Sequence, residues 1–81
     1  MKKELITYFK GLLSKELKID PEKISEKDTF YDLGLDSVNS IFLIHEIEEK
    51  FNVDIDPIAI YDNPTLSSFS AYINQLINED G

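Results

Sequence analysis

Cysteine is absent from this 81-residue chain, and histidine occurs once. Without thiols there is no disulfide framework, thiolate metal site or cysteine nucleophile, and a lone histidine cannot build a zinc centre. Basic charge is scarce as well, with 8 lysine and arginine side chains against 16 carboxylates and a formal net charge of −8. That balance argues against nucleic-acid phosphates and anionic membrane surfaces as partners, and makes any electrostatic partner basic. No apolar run approaches the roughly 20 residues needed to span a bilayer. Met1-Lys2-Lys3-Glu4 leads into a mixed amphipathic stretch in place of a secretory signal. Internal repeats, low-complexity tracts and interdomain linkers are missing too. The expectation is one cytoplasmic domain over residues 1–81. Five phenylalanines, four tyrosines and a 42% hydrophobic content supply a core. A chain this short buries only about 60–65% of its unfolded surface, which leaves little room for an enclosed active site.

The apolar periodicity is helical. Leu5, Phe9, Leu12, Leu13 and Leu17 fall on one side of a helix over about 3–17. From 18 to 35 the period fails. Asp20-Pro21-Glu22 forms a turn, and Ile24, Phe30, Leu33 and Leu35 are isolated apolar residues in polar sequence. This predicts a long loop pinned to the core, and loops of that length in small domains are often functional. The loop ends at Gly34-Leu35-Asp36-Ser37, where a second helix is predicted with Asp36 at the N-cap and Ser37 in the first turn. This helix runs to about Phe51, with Asn52 as a left-handed cap. Val53 and Ile55 alternate with Asp54 and Asp56, and Asp56-Pro57 predicts a capped short helix over 57–61 with Pro57 at its first position. Asp62-Asn63-Pro64 then breaks the chain. Thr65 caps a last helix marked by Leu66, Phe69, Ile73, Leu76 and Ile77 and ending near Asn78. The count is three long helices and one short one, an all-α chain.

The second helix has two apolar faces. At about 100° per residue from Val38, Leu43, Ile47, Phe51 and Ile44 cluster between about 140° and 240°. Ile41, His45, Val38 and Phe42 cluster between about 300° and 40°. One face packs in the core. In so small a domain the other is expected to stay exposed, bordered by Glu48 and Glu49, and exposed apolar patches with polar rims are commonly interaction surfaces.

Ser37 sits where free amides and the positive end of the helix dipole favour an attached phosphate. It has no base of its own. His45 is eight residues further on, roughly 12 Å along the axis and out of hydrogen-bond reach. If Ser37 reacts, another protein supplies the catalysis and the serine is a substrate. Taken alone, an Asp-Ser pair at a helix start is ordinary capping.

Its surroundings carry more. Asp32-Leu33-Gly34-Leu35-Asp36-Ser37-Val38 resembles the signature of acyl and peptidyl carrier proteins, whose serine bears 4'-phosphopantetheine. The chain length, the long first loop, Glu48-Glu49-Lys50-Phe51 and Tyr61-Asp62-Asn63-Pro64-Thr65-Leu66 fall in the same register. The resemblance implies a small four-helix bundle, a non-catalytic carrier with the arm on Ser37, and Asp36 engaging a phosphopantetheinyl transferase and its Mg2+. It also implies a docking face of Val38, Ile41 and Phe42 for loading, transfer and condensation enzymes, with His45, Glu48 and Glu49 at its rim. The protein is expected to be a monomer. Fatty-acid carriers look acidic five residues after the serine, where this chain has Phe42, and the run at 61–65 resembles polyketide and nonribosomal peptide carriers more closely. The expectation is a freestanding carrier of a secondary-metabolite pathway, with a fatty-acid carrier as one alternative and a helical interaction module without an arm as another.

Other patterns lead elsewhere. Asp54 and Asp56 open like a calcium loop, but Ile58, Ala59 and Thr65 stand where an oxygen ligand, glycine and glutamate are required. Glu48 and Glu49 diverge on a helix, unlike a glycosidase pair. Tyr61 and Tyr72 are expected to be core aromatics with wet hydroxyls.

Overall fold

The computed structural model describes residues 2–80. Three long helices, α1 (Lys2–Leu17), α3 (Ser37–Phe51) and α5 (Leu66–Asp80), enclose the core, and α1 packs against both others. Each sends the predicted stripe inward: Leu5, Phe9 and Leu13 from α1, Leu43, Ile44 and Ile47 from α3, and Leu66, Phe69 and Ile73 from α5 are all buried. Val53 and Ile55, from the alternating segment, are buried beside them. Phe69 is the hub, with ring centroids 5.8 Å from Phe9, 5.5 Å from Phe30 and 6.2 Å from Tyr72. Fully burying each such side chain stabilises the fold by about 1.5–3 kcal/mol. Among the described residues no helix is long and apolar enough to cross a membrane.

The first loop is more structured than its lack of period suggests. A 3-10 turn at Pro21–Lys23 is capped by Asp20, whose Oδ1 accepts from the Glu22 amide at 3.0 Å. One turn of helix, α2 (Phe30–Leu33), follows, with the Thr29 hydroxyl accepting from the Asp32 amide at 3.0 Å. Four residues cannot display a 3.6-residue period, so neither element leaves a hydrophobic signature. Ile24 and Phe30 are buried, and Leu33 and Leu35 pack against the core, as the pinned-loop reading expects. Backbone bonds stitch the loop to the start of α5: Phe30 N–H donates to Pro64 O at 2.9 Å and Ser67 N–H to Glu26 O at 2.8 Å. An isolated bridge pairs Thr29 with Thr65.

Two boundaries and one side chain depart from expectation. The short helix α4 spans Ala59–Asp62, so Pro57 lies in the turn before it and does not open the helix. The Asp56 carboxylate accepts from the Ile58 amide at 3.1 Å, closing a local turn that consumes the residues expected to be helical. The last helix continues past Asn78 to Asp80. Tyr72 is partly buried, but Tyr61 is 73% exposed and is no core aromatic. Asn52 does cap α3 in the left-handed region, at φ 55°. Thr65 caps α5, its hydroxyl accepting from the Ser68 amide at 3.1 Å.

Two glycines give a paired prediction. Gly34 follows α2 at φ 91°, donating to Tyr31 O while Leu35 donates to Phe30 O, a Schellman turn that needs a left-handed residue. Gly11 lies inside α1 with nothing within 4 Å of where a Cβ would stand. Gly34→Ala should lower unfolding free energy by about 1–2 kcal/mol, and Gly11→Ala should raise it by about 0.5–1 kcal/mol. Urea denaturation of both variants checks the opposite signs.

Tyr8 gives a second. Burial, together with the nearby negative charge of Glu46, raises its phenol above the ordinary 10.0. The folded state therefore holds this proton more tightly than the unfolded one. The stability it contributes is present below pH 10 and is lost as pH rises beyond it. Melting curves between about pH 8 and 11 should fall less steeply for Tyr8→Phe than for the wild type. Parallel curves would contradict the assignment.

Candidate modification site and docking face

The chain leaves the Gly34 turn through Leu35, and Asp36 is extended at φ −99°, ψ 179° before α3 begins. Asp36 caps the helix as predicted, its Oδ1 accepting from the Asn39 amide at 2.7 Å and its carbonyl from the Ser40 amide at 2.9 Å. Ser37, the first helical residue, is exposed. Its carbonyl accepts from Ser40 Oγ at 2.9 Å. Among the described residues its own hydroxyl has no hydrogen-bond partner, because Asp36 has taken the capping role. An exposed hydroxyl at the positive end of a 15-residue helix suits a phosphodiester, whose charge the dipole favours.

A shallow cleft of about 240 Å³ opens beside Ser37. Buried Phe30 and Ile60 line it from α2 and α4, and Tyr31 and Tyr61 line it where those two helices meet solvent. The stitching of α2 to the turn before α5 brings these two short elements to Ser37.

Farther along α3 the two predicted faces separate. Leu43, Ile44 and Ile47 are buried, and Phe51 is partly buried against the core. Val38, Ile41 and Phe42 are 60%, 63% and 59% exposed. His45 is exposed with them, its Nε2 3.1 Å from Oε1 of Glu49. Phe42 also lines a small groove with Leu12, Lys15, Glu16 and Glu46, so the face runs onto the end of α1. Asn39 Nδ2 donates to Glu16 Oε1 at 3.0 Å and ties the two helices there.

Glu48 has a structural bond as well as its place beside the apolar face. Its carboxylate accepts from the Ile55 amide at 2.9 Å and is partly buried, so it anchors the segment after α3 while lining an open groove with His45 and Glu49. Its angle placed it at the edge of the apolar face, and only the course of residues 52–56 decides which neighbour it meets. Three exposed apolar side chains escaped the pattern: Tyr31, Ile58 and Tyr61. Tyr31 and Tyr61 sit in one-turn helices and Ile58 in the turn before α4, where no face can be read from sequence.

Residues 7–73 match the family described as phosphopantetheine attachment site. The chain is 31% identical over 70 residues to polyketide synthase PksL of Bacillus subtilis (strain 168), an alignment covering 86% of this chain and 2% of the synthase. Across the first curated relatives it matches, the chain spans between 1% and 8% of their length. The structure of a free-standing peptidyl carrier protein from an uncharacterised Acinetobacter baumannii secondary metabolic pathway superposes with a TM-score of 0.86, at 24% identity over 91% of this chain and 92% of that one. The HMG-ACPI domain of the CurA module from Lyngbya majuscula also gives 0.86, at 28% identity over 100% of this chain and 83% of that one. With a family match over most of its length and the helical scaffold of solved carrier domains, this chain belongs to the phosphopantetheine attachment-site family: it is a carrier domain that bears 4'-phosphopantetheine covalently.

Proposed function

We propose that Ser37 is the attachment point and that the chain carries thioester-bound intermediates of polyketide or nonribosomal peptide assembly. The observation that carries this reading is the exposed, unpartnered hydroxyl on the first residue of α3, within Gly34-Leu35-Asp36-Ser37-Val38. Ser37 supplies the oxygen that bonds to phosphorus as coenzyme A gives up its nucleotide half. The transferase supplies the base that takes the serine proton. Asp36 commits Oδ1 to the Asn39 amide, which leaves Oδ2 to face the transferase and its Mg2+. The chain has no catalysis of its own. It works as a monomer in the cytoplasm. The likeness to a polyketide synthase segment, together with Phe42 where fatty-acid carriers are acidic, supports a secondary-metabolite pathway.

Val38, Ile41 and Phe42, with His45 and Glu49 at the rim, form the docking face for enzymes that load and unload the arm. Their exposure supports this, since apolar side chains with no packing duty are retained at little benefit to the fold.

Ser37→Ala should fold with wild-type helicity yet gain no arm when incubated with a broad-specificity phosphopantetheinyl transferase and coenzyme A. Intact mass reads the result, and an alanine variant that gains the arm's mass would sink the assignment.

Phe42→Ala separates docking from packing. Desolvating this ring at an interface contributes about 1.5–3 kcal/mol, or roughly a ten- to hundred-fold change in binding, against about 0.2–1 kcal/mol for a rim acid such as Glu49. The variant should keep its melting temperature and lose cognate loading by that factor. Loss of several kcal/mol of stability with normal loading would return Phe42 to the core.

A further inference from the structure

Of the six large apolar side chains that the described structure leaves exposed, three follow Ser37 on α3 and two line the cleft beside it. Val38, Ile41 and Phe42 belong to α3, and Ile58 precedes Tyr61 by one turn. Tyr31 and Tyr61 line the same cleft as Ser37, from α2 and α4. They are 89% and 73% exposed, so the fold gains almost nothing from them. We propose that Tyr31 and Tyr61 form a second docking wall, separate from the α3 face, that packs against the phosphopantetheinyl transferase through apolar side chains with a basic rim.

Charge sets the rim. Residues 29–40 and 58–64, which build the cleft, contain Asp32, Asp36 and Asp62 and no lysine. All three carboxylates are exposed. Seven of the eight lysines occur within the first 27 residues, whereas eleven of the 16 carboxylates follow them. The cations of a basic surface can pair with these three aspartates and stack over the tyrosine rings. Tyrosine suits this position because it offers a large rigid contact area and a hydroxyl that stays satisfied in water when unbound.

A protein occupant fits better than the cargo on the arm. Ligand sites bury most of their ligand in roughly 300–1,000 Å³, whereas this cleft measures about 240 Å³ and its two tyrosines stand largely in solvent. Any enzyme that reaches the Ser37 hydroxyl must cover the cleft, so the wall is continuous with the point of attack.

The inference rests on Ser37 being the attachment point, and the test separates the two. A broad-specificity phosphopantetheinyl transferase with coenzyme A is the probe, and initial rates are measured by intact mass for the wild type, Tyr31→Ala/Tyr61→Ala and Tyr31→Phe/Tyr61→Phe. The alanine pair should raise KM about tenfold or more, with kcat within about twofold and an unchanged melting temperature. The phenylalanine pair should stay close to wild type. Unchanged KM in the folded alanine pair, with the wild type modified at Ser37, overturns the wall alone. A fall in kcat at constant KM also overturns it, by assigning the tyrosines to the arm. A wild type that gains no arm, or gains it elsewhere, overturns the Ser37 reading and the wall together.

Discussion

Phe30 fixes where the Ser37 end of the molecule lies. Its ring packs edge-on to Phe69 at 5.5 Å, its amide donates to Pro64 O at 2.9 Å, and its carbonyl accepts from Leu35 at 3.0 Å. One residue thus joins the core, the start of α5 and the turn that leads to Ser37. Burial of the ring is worth about 1.5–3 kcal/mol and each backbone bond about 0.5–1.5 kcal/mol net, so the anchor is strong relative to the loop it restrains. A free connection of this length would leave the Ser37 hydroxyl to wander. The anchored loop delivers it to the start of α3, with Gly34 making the last reversal.

The long elements were legible in the sequence because each repeats its apolar residues over four turns. Leu5, Phe9 and Leu13, or Leu66, Phe69 and Ile73, declare both a helix and its inner face. Ser37, Asp36 and the exposed trio on α3 were equally legible, since a motif and a wide helix need no tertiary detail. The one-turn elements were hidden. Phe30 read as an isolated anchor in polar sequence, and Pro57 read as a helix start although the Asp56 side chain binds the Ile58 amide and delays α4. The bond made by Glu48 was hidden for a related reason. A carboxylate at the edge of a helix face pairs with whatever the next segment presents, and here that was the Ile55 amide. Tyr61 looked like core because aromatic residues usually are, and no period existed to say which way it pointed.

The two faces of α3 explain how a domain of this size can fold and still present an apolar surface. Leu43, Ile44 and Ile47 hold the helix to the core, which frees Val38, Ile41 and Phe42 from any structural duty. Exposed apolar groups invite self-association, and a net charge of −8 counters it by repulsion between copies. The same charge weakens the compact state. Capping and anchoring bonds to uncharged amides, from Asp36, Glu48 and Asp56, use part of that negative charge constructively.

Asp36 shows how closely the cap and the neighbouring serine are coupled at the start of α3. Ser, Asp and Asn all serve as N-caps, so a serine at this point of the chain is ordinarily drawn into capping and loses its hydroxyl to a backbone amide. Here the aspartate one residue earlier accepts the Asn39 amide at 2.7 Å and closes that route. Ser37 is left inside the first turn with its hydroxyl outward and unpaired, beside the same helix end that stabilises negative charge. The cap therefore stabilises α3 and leaves the serine hydroxyl free of the backbone. The order Asp-Ser, and not either residue alone, is what leaves an unpaired hydroxyl at the helix start.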